Sequence, residues 1–127
     1  PTQAMLAAVR GEPYQISFGG YNGFQYVDDI ARLFIQAARS TLAGAEVFNI
    51  SGAVAHMSEV VAAIHEVLPD AGITHEDAPL PFPDGQTDSE LRGRLGEIPD
   101  TPLAEGVART IHHFQAAIAD GRLPGKP

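Results

Sequence analysis

Phe24-Gln25-Tyr26-Val27-Asp28-Asp29-Ile30-Ala31-Arg32-Leu33-Phe34-Ile35-Gln36-Ala37-Ala38-Arg39, followed beyond Gly44 by Glu46-Val47-Phe48-Asn49-Ile50-Ser51-Gly52, reads as strand, helix and strand. Ile30, Leu33, Phe34, Ala37 and Ala38 repeat at helical spacing and give one apolar stripe. Asp28 or Asp29 is placed to cap that helix, because a carboxylate there accepts the free N–H groups of a first turn. Glu46 to Ile50 is β-prone and mostly apolar, as a buried strand should be, and Asn49 on it is placed to order the neighbouring loop. A strand-helix-strand of this length suits a parallel crossover. The rest of the chain does not supply the remainder of such a sheet, so it reads as the tail part of a larger α/β unit.

On the N-terminal side, Thr2 to Arg10 is alanine-rich and ends at Gly11, which predicts one or two helical turns. Gln15 to Phe18 and Phe24 to Val27 read as short strands, and the turn Gly19 to Gly23 between them predicts a hairpin. On the C-terminal side, Met57, Val60, Val61, Ile64, Val67 and Leu68 predict a helix that Pro69 stops. Ile73 to His75 is a brief strand, and Pro79, Pro81 and Pro83 force an extended loop. Asp88 and Ser89 open a short helix ended by Gly96; Thr101, followed by Pro102, predicts a capped last helix through Phe114 to about Gly121, with Leu123 to Pro127 frayed.

The expected fold is therefore α/β, or α+β for this chain by itself, with about four helices and a few short strands. One unit covers residues 1–127: short helix and hairpin in 1–27, crossover helix and returning strand in 28–52, helices and proline-rich loop in 53–121, tail in 122–127.

Sixteen acidic against eight basic residues, a formal charge of −8, argue against nucleic acid and anionic membranes as partners. No apolar run approaches the roughly 20 residues that span a bilayer. Cysteine is absent, so neither disulfides nor cysteine-bound metal hold the fold, in keeping with a cytoplasmic protein. The opening Pro1-Thr2, without initiator methionine or signal-like segment, leads us to expect a truncated or proteolytic product.

Few side chains have the spacing that chemistry needs. His65-Glu66 begins like a zinc-protease helix, but Pro69 stands where the second histidine belongs. His112 and His113 are adjacent and point to different helix faces, while His56 and His75 lie in or near loops, so surface or capping roles are expected and a metal is not. Ser51 lacks the glycine two residues earlier that a nucleophile elbow requires.

Three blocks, in order and spacing, resemble the C-terminal portion of an extended short-chain dehydrogenase/reductase of the NAD-dependent epimerase/dehydratase kind. They are Tyr26-Val27-Asp28-Asp29-Ile30-Ala31; Val47-Phe48-Asn49-Ile50-Ser51-Gly52, followed by Glu59; and Asp88, Ser89, Leu91, Leu95, Gly96, Pro99, Thr101, Leu103, Gly106, Thr110 and Phe114. The resemblance runs from about Gly11 to Phe114. It implies an intact protein that binds NAD or NADP on an N-terminal doubly wound (Rossmann) half and a carbohydrate-like small molecule mainly under this C-terminal part. It also allows a homo-oligomer.

Against that pattern, the glycine-rich cofactor turn is lacking, since Gly19-Gly20-x-x-Gly23 sits between two strands. The family's tyrosine with a lysine four residues later is lacking too: the tyrosines are Tyr14, Tyr21 and Tyr26, and the only lysine is Lys126. No catalytic or cofactor-binding residue is expected here, and the chain alone is expected to be inactive. Sugar-nucleotide members place an arginine four residues before the valine of the Val-x-Asp turn, and here that position is Gly23. Phe82-Pro83-Asp84-Gly85 carries no second arginine, and Arg92 and Arg94 read as solvent-facing.

The resemblance makes Tyr14, Ile16, Phe18 and Phe82 the substrate-facing candidates, core packing being the alternative for each. The substrate class stays open among a sugar, a sugar nucleotide and a smaller polyol or sugar acid, and the reaction among epimerisation, dehydration and oxidation. The other readings are a stand-alone, non-catalytic α+β binding module and a helical regulatory domain.

Overall fold

A computed structural model describes residues 1–125. Five helices and four short strands follow in the order α1 (Thr2–Arg10), β1 (Tyr14–Ile16), β2 (Tyr21–Phe24), α2 (Val27–Arg39), β3 (Ala53–His56), α3 (Met57–Val67), β4 (Ile73–His75), α4 (Ser89–Leu95) and α5 (Leu103–Ala119). The architecture is α+β, with one helix more than the four expected. Alanine-rich α1 is a full helix because Ala4, Met5, Ala7 and Ala8 bury one face of it, which stabilises nine residues that would be marginal alone. Gly11, at φ 68°, closes it by donating to Ala8 O, and Glu12 N donates to Ala7 O.

The strands pair otherwise than expected. β1 runs parallel to β4, with Tyr14 opposite Ile73 and Ile16 opposite His75. β2 runs antiparallel to β3, with Tyr21 opposite His56 and Phe24 opposite Ala53. The predicted hairpin between the first two strands is thus not formed: Gly19-Gly20 carries the chain from one small sheet to the other. Gly19 N donates to Ala78 O at 2.8 Å, which commits the turn to the proline-rich loop.

Glu46 to Ile50 is not a ladder strand either. A strand needs a neighbour to take its N–H and C=O groups, and no described segment offers one. It crosses the surface instead, with Val47 95% exposed and Gln25 Nε2 donating to Ile50 O at 2.8 Å. Gly52 then turns the chain into β3 at φ +65°, where an added Cβ would lie 2.3 Å from Phe24 O, so only glycine fits.

Two apolar clusters hold the unit. The larger joins Ala4, Met5, Ala7, Ala8, Ile16, Met57, Val60, Ala63, Ile64, Ile73, Val107 and Ile111, from α1, α3, α5, β1 and β4. The smaller joins Leu33, Leu91 and Ile98, with Phe48, Ile50 and Leu95 partly buried against it. Toward the end of the chain, Leu123 and Pro124 are tied down and not frayed as expected: Leu123 N donates to Ala117 O, and Arg10 reaches Pro124 O at 3.0 and 3.2 Å. The remainder of the predicted tail, residues 126 and 127, lies outside the described residues. No helix among the described residues is long and apolar enough to cross a membrane.

Met57, Ile64, Ile111 and Val60 are the largest fully buried side chains. Ile64→Ala or Ile111→Ala is expected to cost about 2–5 kcal/mol in urea unfolding, and Val47→Ala no more than about 0.5 kcal/mol.

Candidate functional site

Directly opposed residues of an antiparallel pair share a face. Asn22 with Ala55 and Phe24 with Ala53 point inward, where Ala55 is buried and Phe24 packs on the larger cluster. Tyr21 with His56 and Gly23 with Val54 therefore point outward. Tyr21 is 51% and Val54 47% exposed. The proline-rich loop passes over this face: its first residues are held by Gly19 and Gly20, and at its far end Gly85 sits against Val54, close enough that an added Cβ would stand 2.6 Å from Val54 Cγ2. Phe82, 70% exposed, projects from the loop between those two anchors.

The four substrate candidates do not share a cavity. Ile16 is 2% exposed and belongs to the larger cluster, which is the core-packing alternative expected for it. Phe18 packs partly on the same cluster. Tyr14 and Phe82 are exposed. The outward residues Tyr21, Val54 and His56 are not among the candidates drawn from sequence, because neither Tyr21-Asn22-Gly23-Phe24 nor Ala53-Val54-Ala55-His56 alternates apolar with polar residues. The glycines at 19, 20 and 23 mask the first of these strands as a turn, and the second runs directly into the helical pattern of α3.

The expected caps also fall elsewhere. Helix α2 begins at Val27 with Tyr26 at the capping position, so Asp28 and Asp29 lie inside its first turn and make no capping bond. They still face the helix dipole favourably. Asp29 also reaches across the fold, where its Oδ2 accepts the Thr101 N–H at 2.6 Å, 72 residues away in sequence. Thr101 is not the cap of α5, because Pro102 holds that position and no side chain caps it. Asn49 is exposed and does not order its loop; the Gln25 bond to Ile50 does.

The built cap belongs to His56: its Nδ1 accepts Ser58 N–H at 3.2 Å, and Glu59 Oε1 accepts His56 N–H at 2.8 Å, closing a capping box on α3. The glutamate that follows the second family block in sequence is this residue. His65 meets Ala71 O at 2.8 Å, so it too is structural.

The arginines of α4 and α5 are already engaged. Arg92 contacts Asp88 at 3.1 Å and Asp100 at 3.4 Å, and the Asp88 carboxylate beside it pushes its guanidinium pKa up. Arg94 pairs with Glu46. Arg109 pairs with Glu105 and lies over the Tyr26 ring, 5.7 Å from its centroid. At the arginine position of sugar-nucleotide members, Gly23 has its Cα so close to the chain that a Cβ would stand 3.0 Å from Ser51 O.

Two apolar hollows lie elsewhere. A cleft of about 650 Å³ is lined by Met5, Tyr26, Val60, Val107, His113 and Phe114 among others. A trough of about 460 Å³ runs between α2, residues 42–48 and α4, where Phe34 and Val47 are open to solvent.

No protein-family model matches the chain, and no curated protein matches it. Solved structures do. A partial-consensus L-threonine 3-dehydrogenase is 27% identical, with a TM-score of 0.76 over 90% of this chain and 40% of its own. The GalE-like L-threonine dehydrogenase from Cupriavidus necator is 26% identical, with a TM-score of 0.74 over 88% and 40%. The Bordetella bronchiseptica enzyme WbmF, solved in complex with NAD+ and UDP, is 26% identical, with a TM-score of 0.71 over 94% and 37%. The fold is that of the C-terminal part of an extended short-chain dehydrogenase/reductase, and the chain spans about 40% of the length of the threonine dehydrogenases it matches.

Removing the Asp29 carboxylate strands a half-buried N–H. Asp29→Ala is expected to lower stability by about 1–3 kcal/mol, whereas Asp28→Ala loses only a dipole contact, about 0.3–1 kcal/mol. Paired urea titrations measure the difference.

Proposed function

We propose that this chain is the substrate-binding C-terminal part of an NAD(P)-dependent oxidoreductase, epimerase or dehydratase whose substrate is a small polyol, sugar acid or similar hydroxylated compound and not a sugar nucleotide. The observation that carries the substrate class is the outward face of β2 and β3. Where diphosphate recognition calls for a free arginine fork, the face presents Gly23, Val54, Tyr21 and His56. Arg92 and Arg94 are occupied by carboxylates. Two similar structures are threonine dehydrogenases while WbmF was solved with UDP, so this architecture serves both substrate kinds and the substrate class rests on the residues of the face. Tyr14 and Phe82 remain the proposed substrate-facing residues from the sequence, with Phe18 behind them; Ile16, as a core residue, is not among them.

The intact protein, in this reading, binds NAD or NADP on a Rossmann half that this chain does not contain, works in the cytoplasm and forms a homo-oligomer. By itself the chain neither binds the dinucleotide tightly nor turns over substrate. Residues 46–50 and the trough beside them are the proposed seat of that half, since an extended backbone with Val47 and Phe34 exposed lacks its partners.

Two measurements test this. Conversion by the intact enzyme with NAD(P)+, followed both by NAD(P)H formation and by chromatographic product analysis that also detects redox-neutral epimerisation and dehydration, should favour polyols, sugar acids and hydroxy amino acids over UDP-sugars; turnover confined to UDP-sugars overturns the substrate class. Light scattering of the 127-residue chain should show self-association or a retained second polypeptide at micromolar concentration. A clean monomer without a companion in the mass spectrum counts against the proposed seat.

A further inference from the structure

Two histidines flank the outward face, and their hydrogen bonds fix where each carries its proton. His56 Nδ1 accepts the Ser58 N–H at 3.2 Å and meets Ser58 Oγ at 2.8 Å. A ring nitrogen that accepts an amide hydrogen bears none, so the neutral His56 ring holds its proton on Nε2. His75 Nδ1 lies 2.8 Å from Glu76 O. A carbonyl oxygen only accepts, so His75 carries its proton on Nδ1 and leaves Nε2 as a bare acceptor.

The two rings meet edge to face with centroids 6.0 Å apart, and Tyr21 meets His56 edge to face at 5.2 Å. β2, β3 and β4 thus bring together a ring with an N–H donor, a ring with a free lone pair and an exposed phenol. Neither ring is committed to a carboxylate side chain.

We propose that Tyr21, His56 and His75 form a recognition element for neighbouring hydroxyl groups of a polyol chain, an inference that rests on the small-substrate reading above and specifies its class. A hydroxyl donates and accepts, so two adjacent ones can meet an N–H and a lone pair at once. A diphosphate only accepts at neutral pH and would find one donor and one repelling lone pair. A CH-rich polyol edge also packs on an aromatic ring as an apolar surface. The capping box gives the arrangement its rigidity: His56 cannot reverse its ring without giving up its bonds to Ser58 N–H and Oγ.

Long-range ¹H–¹⁵N spectra of the 127-residue chain at neutral pH read the two tautomers directly. The Nε2–H form is expected for His56 and the Nδ1–H form for His75; finding Nε2–H on His75 overturns the proposal. Ribitol, as a neutral polyol, is expected to move the imidazole signals of His56 and His75 together, saturating in the millimolar range, and to leave His112 and His113 in place. His56→Asn keeps a capping side chain on α3 and should hold the thermal midpoint while weakening the ribitol response about tenfold or more. His75→Phe keeps a ring without the lone pair and should do the same. If ribitol moves neither ring and UDP moves neither, this inference fails while the substrate-class proposal still stands on the turnover assay. If UDP moves both rings and ribitol does not, both fail.

Discussion

Asp29 is the buried charged side chain at the first turn of α2, and its bond to the Thr101 N–H joins the two halves of the interior. On one side of that bond α2 contributes Leu33 to the smaller apolar cluster with Leu91 and Ile98; on the other, α5 brings Val107 and Ile111 into the larger one. A charge-assisted hydrogen bond in a partly buried place is stronger than a neutral one. It also holds Thr101 just before α5 begins, while Val107 and Ile111 seat the helix against α1 and α3 in the larger cluster.

With the helices set, the short strands serve as connectors. β1 and β4 tie the start of the chain to the segment after α3, and β2 and β3 tie the entry of α2 to the entry of α3. Each pair is too short to be stable by itself. Their inner residues, Ile16, Ile73, Phe24 and Ala55, are held because the helices cover them. The outer residues of β2 and β3 face away from the core, roofed in part by the proline-rich loop.

Much of the helical layout is legible from sequence alone. The stripe Met57, Val60, Ile64 with Pro69 beyond it locates α3, and Leu103, Val107 and Ile111 locate α5, because a buried helix face writes itself at a period of three to four. Strand partners are not legible. Gln15 to Phe18 and Phe24 to Val27 look like a hairpin because a glycine turn separates them, yet pairing is decided by which edge each segment finds after the helices pack. The three family blocks locate Glu59, Asp29 and Thr101 without revealing what each bonds to. In the fold, Glu59 closes a capping box with His56, and Asp29 and Thr101 bond to each other.

Composition and periodicity by themselves determined a small α+β unit with an apolar interior, a net negative charge and the block pattern of a C-terminal dehydrogenase/reductase part. The resemblance carried by those blocks implies that the arginine of sugar-nucleotide members falls at Gly23. Only the tertiary structure decided that Ile16 is core, that Glu46 to Ile50 runs unpaired and that His56 meets Tyr21 and His75. Helix formation depends on neighbours three and four residues away, which a sequence displays. Strand pairing, caps and ligand-facing surfaces depend on partners tens of residues distant, which only the folded chain brings within reach.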